Sequence, residues 1–143
     1  MAASNTRKYW KKFADVIVSQ VFPKRCGQLT GKDVVNIDEY LERIRSAVEA
    51  RRDPDFVIIA RTDARQATIF GGATAGRHAF DEGVKRLKAA LEAGADMAFM
   101  ESPRTEEECQ TLVKELAGKP VLINVLPHVS IKLPSFTCPY IIG

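Results

Sequence analysis

Apolar residues between positions 36 and 124 recur in two alternating rhythms. Ile37, Tyr40, Leu41, Ile44 and Val48 fall three and four apart, the stripe of one helix face. Asn36 and Glu39 stand ahead of it as a capping box, each side chain satisfying a backbone N–H of the first turn. Arg51-Arg52-Asp53-Pro54 ends it, with basic charge suited to a helix C-terminus and a proline that cannot continue. Residues 56–60 form an unbroken apolar run, the pattern of a strand buried on both faces. The cycle then repeats. Phe80, Val84, Leu87 and Leu91 predict a helix stopped at Gly94, and residues 97–100 a strand. Thr105 and Glu108 make another capping box before the stripe Cys109, Leu112, Val113, Leu116. Gly118 closes that helix, and residues 121–123 are a further strand.

Alternating strands and helices with short connections imply parallel strands joined by right-handed crossovers. Val16-Ile17-Val18 reads as an earlier strand of the same sheet. The stretch 66–77, with Gly71, Gly72 and Gly76, is a long strand-to-helix loop, either a connector or an active-site lid. Residues 129–143 contain Pro134 and Pro139 and no clear period.

The residues just past each strand suggest chemistry. Ala60 is followed by Arg61-Thr62-Asp63, Met100 by Glu101-Ser102, and Ile123 by Asn124. Ligands of parallel α/β sheets and barrels bind at the C-terminal strand ends, where neighbouring loops converge. Arginine there grips a carboxylate or phosphate through paired N–H bonds, while glutamate and asparagine orient a hydroxyl, a water or an enolate oxygen. The plainer role for each alone is a strand end in solvent. Cys26 sits beside Lys24 and Arg25, neighbours that favour a thiolate, and Gly27 frees the backbone. A general base, a nucleophile and a small buried hydrophobe all remain open for it. Cys109 lies on a helical stripe and reads as core, and His78 and His128 are isolated. No GxGxxG, GxxxxGK[ST] or GxSxG motif is present.

Composition narrows the classes. A chain of 143 residues suits one domain, and 45% hydrophobic with 27% charged residues is an ordinary globular balance. The net charge of +3 is scattered, which argues against a nucleic-acid partner. No apolar run approaches the roughly 20 residues of a membrane span, so no membrane partner is expected. Three cysteines without CxxC spacing argue against a disulfide framework or zinc site and favour a reducing compartment, the cytoplasm. Arg7, Lys8, Lys11 and Lys12, with no acid among the first twelve residues, leave a mitochondrial transit segment as the alternative to a frayed terminus.

The runs Phe22-Pro23-Lys24-Arg25-Cys26-Gly27, Gly31-Lys32 and Asp53-Pro54-Asp55-Phe56-Val57-Ile58-Ile59-Ala60-Arg61-Thr62-Asp63-Ala64 resemble the isocitrate lyase and phosphoenolpyruvate mutase superfamily. So do Ala93-Gly94-Ala95-Asp96 and Phe99-Met100-Glu101. The likeness is greatest to the branch of 2-methylisocitrate lyase, oxaloacetate acetylhydrolase and carboxyphosphonoenolpyruvate mutase-like proteins. It implies a partial parallel (β/α)8 TIM-type barrel, about four strands with their helices, over residues 20–128. Residues 1–19 and 129–143 are divergent segments. It also implies Mg2+ as cofactor, a small carboxylate substrate, and an oligomer. Cys26 would be the proton-transferring cysteine, with Gly27 binding substrate. Arg61 would hold a substrate carboxylate, with Glu101 and Asn124 completing the pocket and Val125 and Leu126 lining it.

The departures point the other way. Gln28 replaces the family's histidine after Cys-Gly, and Val18-Ser19 replaces a Glu-Asp pair that serves the metal. The first strand, the strand with paired metal-binding aspartates and the last two strands have no counterpart. A complete barrel takes about 250 residues. The expectation is a C–C or P–C lyase, mutase or hydrolase by family, acting on a 2-oxo or 2-hydroxy dicarboxylate, with the 143-residue chain inactive and its metal ligands missing. Two alternatives stand beside it. One is a non-catalytic partial barrel that associates through open sheet edges with itself or a full-length relative. The other is a small flavodoxin-like binding domain.

Overall fold

A computed structural model of the chain describes residues 16–19, 21 and 31–124. Its elements are strand β1 (Val16–Ser19), helix α1 (Ile37–Ala50), β2 (Ile58–Thr62), three short 3-10 turns over residues 64–74, α2 (Arg77–Glu92), β3 (Met97–Met100), α3 (Glu106–Glu115) and β4 (Val121–Ile123). The strands form one sheet in the order β1-β2-β3-β4, every pair parallel. Each strand therefore lies beside the strand that precedes it in the chain, with a helix crossing between β1 and β2, β2 and β3, and β3 and β4. That is the repeating unit of a β/α barrel.

One face of the sheet is covered by the helices. Tyr40 and Ile44 of α1, Phe80, Val84, Leu87 and Ala90 of α2, and Cys109 and Leu112 of α3 pack on Ile58, Ala60, Ala98, Met100, Val121 and Ile123. Full enclosure of a side chain such as Ile44, Phe80 or Leu87 contributes about 1.5–3 kcal/mol. Two glycines allow the approach. A Cβ on Gly83 would lie 2.8 Å from Met100 Cε and 3.6 Å from Thr62 Cγ2, so a side chain there would require the flexible end of Met100 to move. Gly94 takes φ 110° after α2, against the Val48 side chain.

Expected and observed elements differ in instructive places. β3 and β4 fall where the apolar runs put them. β2 begins two residues later than the run 56–60 and takes in Arg61 and Thr62. Asp96 explains its start: one carboxylate oxygen accepts from Ile58 N at 2.9 Å and from Arg51 Nη1 at 2.6 Å, and Arg51 also reaches Phe56 O. Arg51, the residue closing α1, and Asp96 thus buckle the N-terminal ends of β2 and β3 together. Burial on both faces holds for β3, whereas Ile59 and Arg61 of β2 are only half-buried. Both capping boxes are half formed. Asn36 and Thr105 accept from the N–H groups of Glu39 and Glu108, but the Glu39 carboxylate bonds Arg43 and that of Glu108 bonds Arg65.

Candidate functional site

Strand alternation sends Ile59 and Arg61, Phe99 and Glu101, and Leu122 and Asn124 to the face away from the helices. The register sets Arg61 level with Phe99, and Phe99 level with Leu122. Glu101 and Asn124 stand one step further along, at the C-terminal rim. The parallel pairing continues past β3, because Glu101 N donates to Thr62 O at 2.9 Å.

At this rim the side chains form a chain of alternating charge. Arg61 Nη2 lies 3.0 Å from Glu101 Oε2, and Asn124 Nδ2 reaches Glu101 Oε1 at 3.5 Å. Arg61 Nε and Nη2 donate to the two oxygens of Asp63, each at 2.9 Å. Lys32 Nζ donates to Asp63 Oδ1 at 2.7 Å. The guanidinium carbon of Arg61 sits 5.1 Å from the centroid of the Phe99 ring, a cation–π contact that fixes its plane from below. Lys32 and Asp63 are fully enclosed, Glu101 is 2% exposed, and the Arg61 side chain keeps 18% of its surface. Asn124 is exposed.

Burial alone would raise the Asp63 carboxyl pKa. Hydrogen bonds from Arg61 and Lys32, with their charges, outweigh that and hold it below the ordinary value of 3.8. Ser102, just after Glu101, takes φ 58°, a left-handed conformation that costs a non-glycine residue roughly 1–3 kcal/mol. Such strain concentrates where a turn aims functional groups.

The loop after β2 is tied down. Arg65 forks onto Glu108 and donates to Ala75 O, while Arg104 donates to Ala75 O, Gly72 O and Arg65 O. His78, isolated in sequence, meets Phe70 O at 2.9 Å. These bonds brace the loop against the start of α3 and the loop after β3.

Of the residues singled out from sequence, Arg61, Glu101 and Asn124 meet at one rim. Cys26, Gly27, Val125 and Leu126 lie outside the described residues, as do Cys138 and His128. Val21 bridges Val34 in antiparallel fashion, and Lys32 bridges Ala67. Lys32 and Asp63 are site members that sequence reasoning did not single out. Their only signal was membership of the Gly31-Lys32 and Arg61-Thr62-Asp63 runs. Cys109 is buried, as its stripe suggested, and burial followed by the charges of Glu108 and Glu106 pushes its thiol up to about 11.

A groove of about 530 Å³ runs between α2 and α3, past Phe80, Lys88 and Glu115. It lies on the helical side, away from Arg61, and none of the rim residues lines it.

A magnesium ion requires near-octahedral oxygen ligands, commonly one or two carboxylates with waters. No group of three or more His, Cys, Asp or Glu among the described residues could hold a metal. Asp63 is already held by two cations and Glu101 by one, so the rim as described does not fit the ion.

The family model described as phosphoenolpyruvate phosphomutase matches residues 24–137. A probable 2-methylisocitrate lyase 1 from Corynebacterium glutamicum is 51% identical over 89 residues, 62% of this chain and 26% of that protein. The 2,3-dimethylmalate lyase of Eubacterium barkeri is 41% identical over 114 residues, 78% of this chain and 36% of that protein. Among solved structures, oxaloacetate acetylhydrolase bound to the inhibitor 3,3-difluorooxalacetate superposes with a TM-score of 0.68 at 38% identity, over 84% of this chain and 38% of that one. Phosphonopyruvate hydrolase in complex with oxalate and Mg2+ gives 0.58 at 32% identity, over 85% and 38%. The chain thus spans between about a quarter and two fifths of the length of these relatives, all of them enzymes of carboxylate substrates by name. The (β/α) barrel architecture inferred from sequence is the one they share with it.

Proposed function

The chain belongs to the phosphoenolpyruvate phosphomutase family, and from that premise we propose that its Arg61 rim is the carboxylate-binding part of a lyase, mutase or hydrolase site. The complete site would cleave a C–C or P–C bond in a 2-oxo or 2-hydroxy dicarboxylate such as 2-methylisocitrate or oxaloacetate. The observation that carries this reading is the contact of Arg61 with Glu101, backed by Asn124, at the C-terminal ends of three adjacent parallel strands. Arg61 grips the carboxylate, and Glu101 and Asn124 hold the hydroxyl or enolate oxygen next to the breaking bond. By the family resemblance Cys26 would transfer the proton, Gly27 would bind substrate, and Val125 and Leu126 would line the pocket.

Mg2+, which the family implies, would stabilise the enolate charge. The described residues offer it no ligand set, and the rim by itself is proposed to bind a carboxylate without turning it over. Titration calorimetry with oxalate and an assay of oxaloacetate cleavage, each with and without Mg2+, test both halves. Oxalate binding that disappears in Arg61→Ala is the expected result. Absence of binding to the wild-type chain overturns the site, and metal-dependent cleavage overturns the inactivity.

A second reading rests on the sheet itself. β1 and β4 are its outer strands among the described residues. A sheet edge left uncovered pairs readily with other chains, so self-association or docking on a full-length relative is the non-catalytic alternative. Light scattering after size exclusion separates the two, since a stable monomer argues against it.

A further inference from the structure

Arg61 has a problem of charge. It is to attract an anion, yet two carboxylates already touch it, Asp63 through two bonds and Glu101 through one. Those three groups alone sum to −1, which repels a carboxylate ligand. Lys32 changes the sum to zero. Its ammonium is 2.7 Å from Asp63, and neither side chain has any exposed surface. Solvent and salt therefore screen this charge little, and it acts on the whole rim.

A buried ion pair is a poor way to gain stability, because desolvating both charges offsets most of their attraction. This pair has a better explanation in what it does to its neighbour. Its backbone is held as well. Lys32 O accepts from Thr68 N at 2.8 Å, and Lys32 bridges Ala67 in the braced loop beyond Asp63.

We propose that Lys32 is a positioning residue for carboxylate binding: by neutralising and anchoring Asp63, it lets Asp63 orient Arg61 without cancelling the charge that Arg61 presents to an anionic ligand. This inference rests on the carboxylate reading of Arg61. Lys32 and Asp63 cancel, and Arg61 and Glu101 form the outer pair that an incoming carboxylate reorganises.

The charge count makes the test specific. Oxalate is titrated in metal-free buffer into the wild-type chain, Arg61→Ala, Lys32→Gln and the double variant Lys32→Gln/Asp63→Asn. Lys32→Gln keeps an N–H donor for Asp63 but takes the rim to −1, so affinity should fall at least tenfold. The double variant returns these four groups to zero and should bind oxalate more tightly than Lys32→Gln alone. It removes both members of the Lys32–Asp63 ion pair together, so it reports on the pair even where the single variant melts early. Circular dichroism and cooperative melting confirm that each variant is folded. A purely structural lysine would show no such rescue. Loss of binding in Arg61→Ala with Lys32→Gln unchanged, or a double variant no better than the single, overturns the role of Lys32 alone. Binding that survives Arg61→Ala, or is absent from the wild type, overturns the carboxylate reading beneath it.

Discussion

Glu108 and Arg65, 43 residues apart in the chain, meet in a buried fork, with Nη2 to Oε1 at 2.8 Å and Nε to Oε2 at 3.2 Å. The other Glu108 contacts run to Arg104 N and to the Thr105 hydroxyl, so a single residue joins the loop after β2, the loop after β3 and the start of α3. Both loops carry rim residues. Removing the acid strands Arg65, whose side chain is 5% exposed, beside Arg104. Glu108→Ala should therefore cost about 3–5 kcal/mol in urea unfolding, the usual penalty for breaking a buried pair from one side. Proteolysis should open the chain between residues 66 and 76 first. A loss below about 1 kcal/mol, the size of an exposed pair, would mean that the fork is replaceable.

Tyr40 has the opposite character. It is fully enclosed and its hydroxyl has no hydrogen-bond partner among the described residues. Burial pushes its pKa up, with Arg86 opposing and Asp63 adding, so the unpaired O–H stays protonated. A buried donor left unmade costs about 1–3 kcal/mol. Tyr40→Phe should hold or raise the melting temperature. A clear drop would reveal a water or side chain that satisfies the hydroxyl.

Asp63 sets an acid limit. Its folded pKa lies below its unfolded one, so its contribution to stability is complete above the unfolded value and disappears as pH falls through the folded value. Stability should be flat from neutrality to about pH 5 on this account and decline below about pH 4. Asp63→Asn should remove part of that decline. An unchanged acid limb in the variant would show that Asp63 has no share in it.

Cys109, pushed up to about 11, carries almost no thiolate at neutral pH. Iodoacetamide at about pH 8, just under the ordinary thiol pKa, should leave it unmodified in the folded chain and label it in guanidinium. Mass spectrometry of the peptide spanning residues 105–114 gives the answer, and labelling of the native chain at the rate of a free thiol would contradict its burial.

Much of the architecture is legible in the residue pattern because burial shapes it directly. β3 is apolar on both faces and lies between Gly94 and the Thr105 cap, so its run resembles little else. The pattern places β2 two residues early because an apolar run stops where polar residues begin. Its C-terminal half carries Arg61 and Thr62, polar residues that a pattern of burial reads as loop. Lys32 is easily passed over in the sequence for a related reason. A lone lysine between Gly31 and Asp33 looks solvated, and only the fold brings Asp63 to it from 31 residues away. The capping boxes mislead in the same way, since Glu39 and Glu108 find stronger partners in arginines than in backbone N–H groups. Arg61, Glu101 and Asn124 are readable because each stands at the end of a strand, where parallel sheets gather their chemistry.

The sheet order β1-β2-β3-β4 also bears on how the molecule is made. When β2, β3 and β4 leave the ribosome, the strand each one joins has been synthesised just before it and is already waiting. Only β1 waits, for the next strand in the chain, so along these four the order of translation can also be an order of assembly.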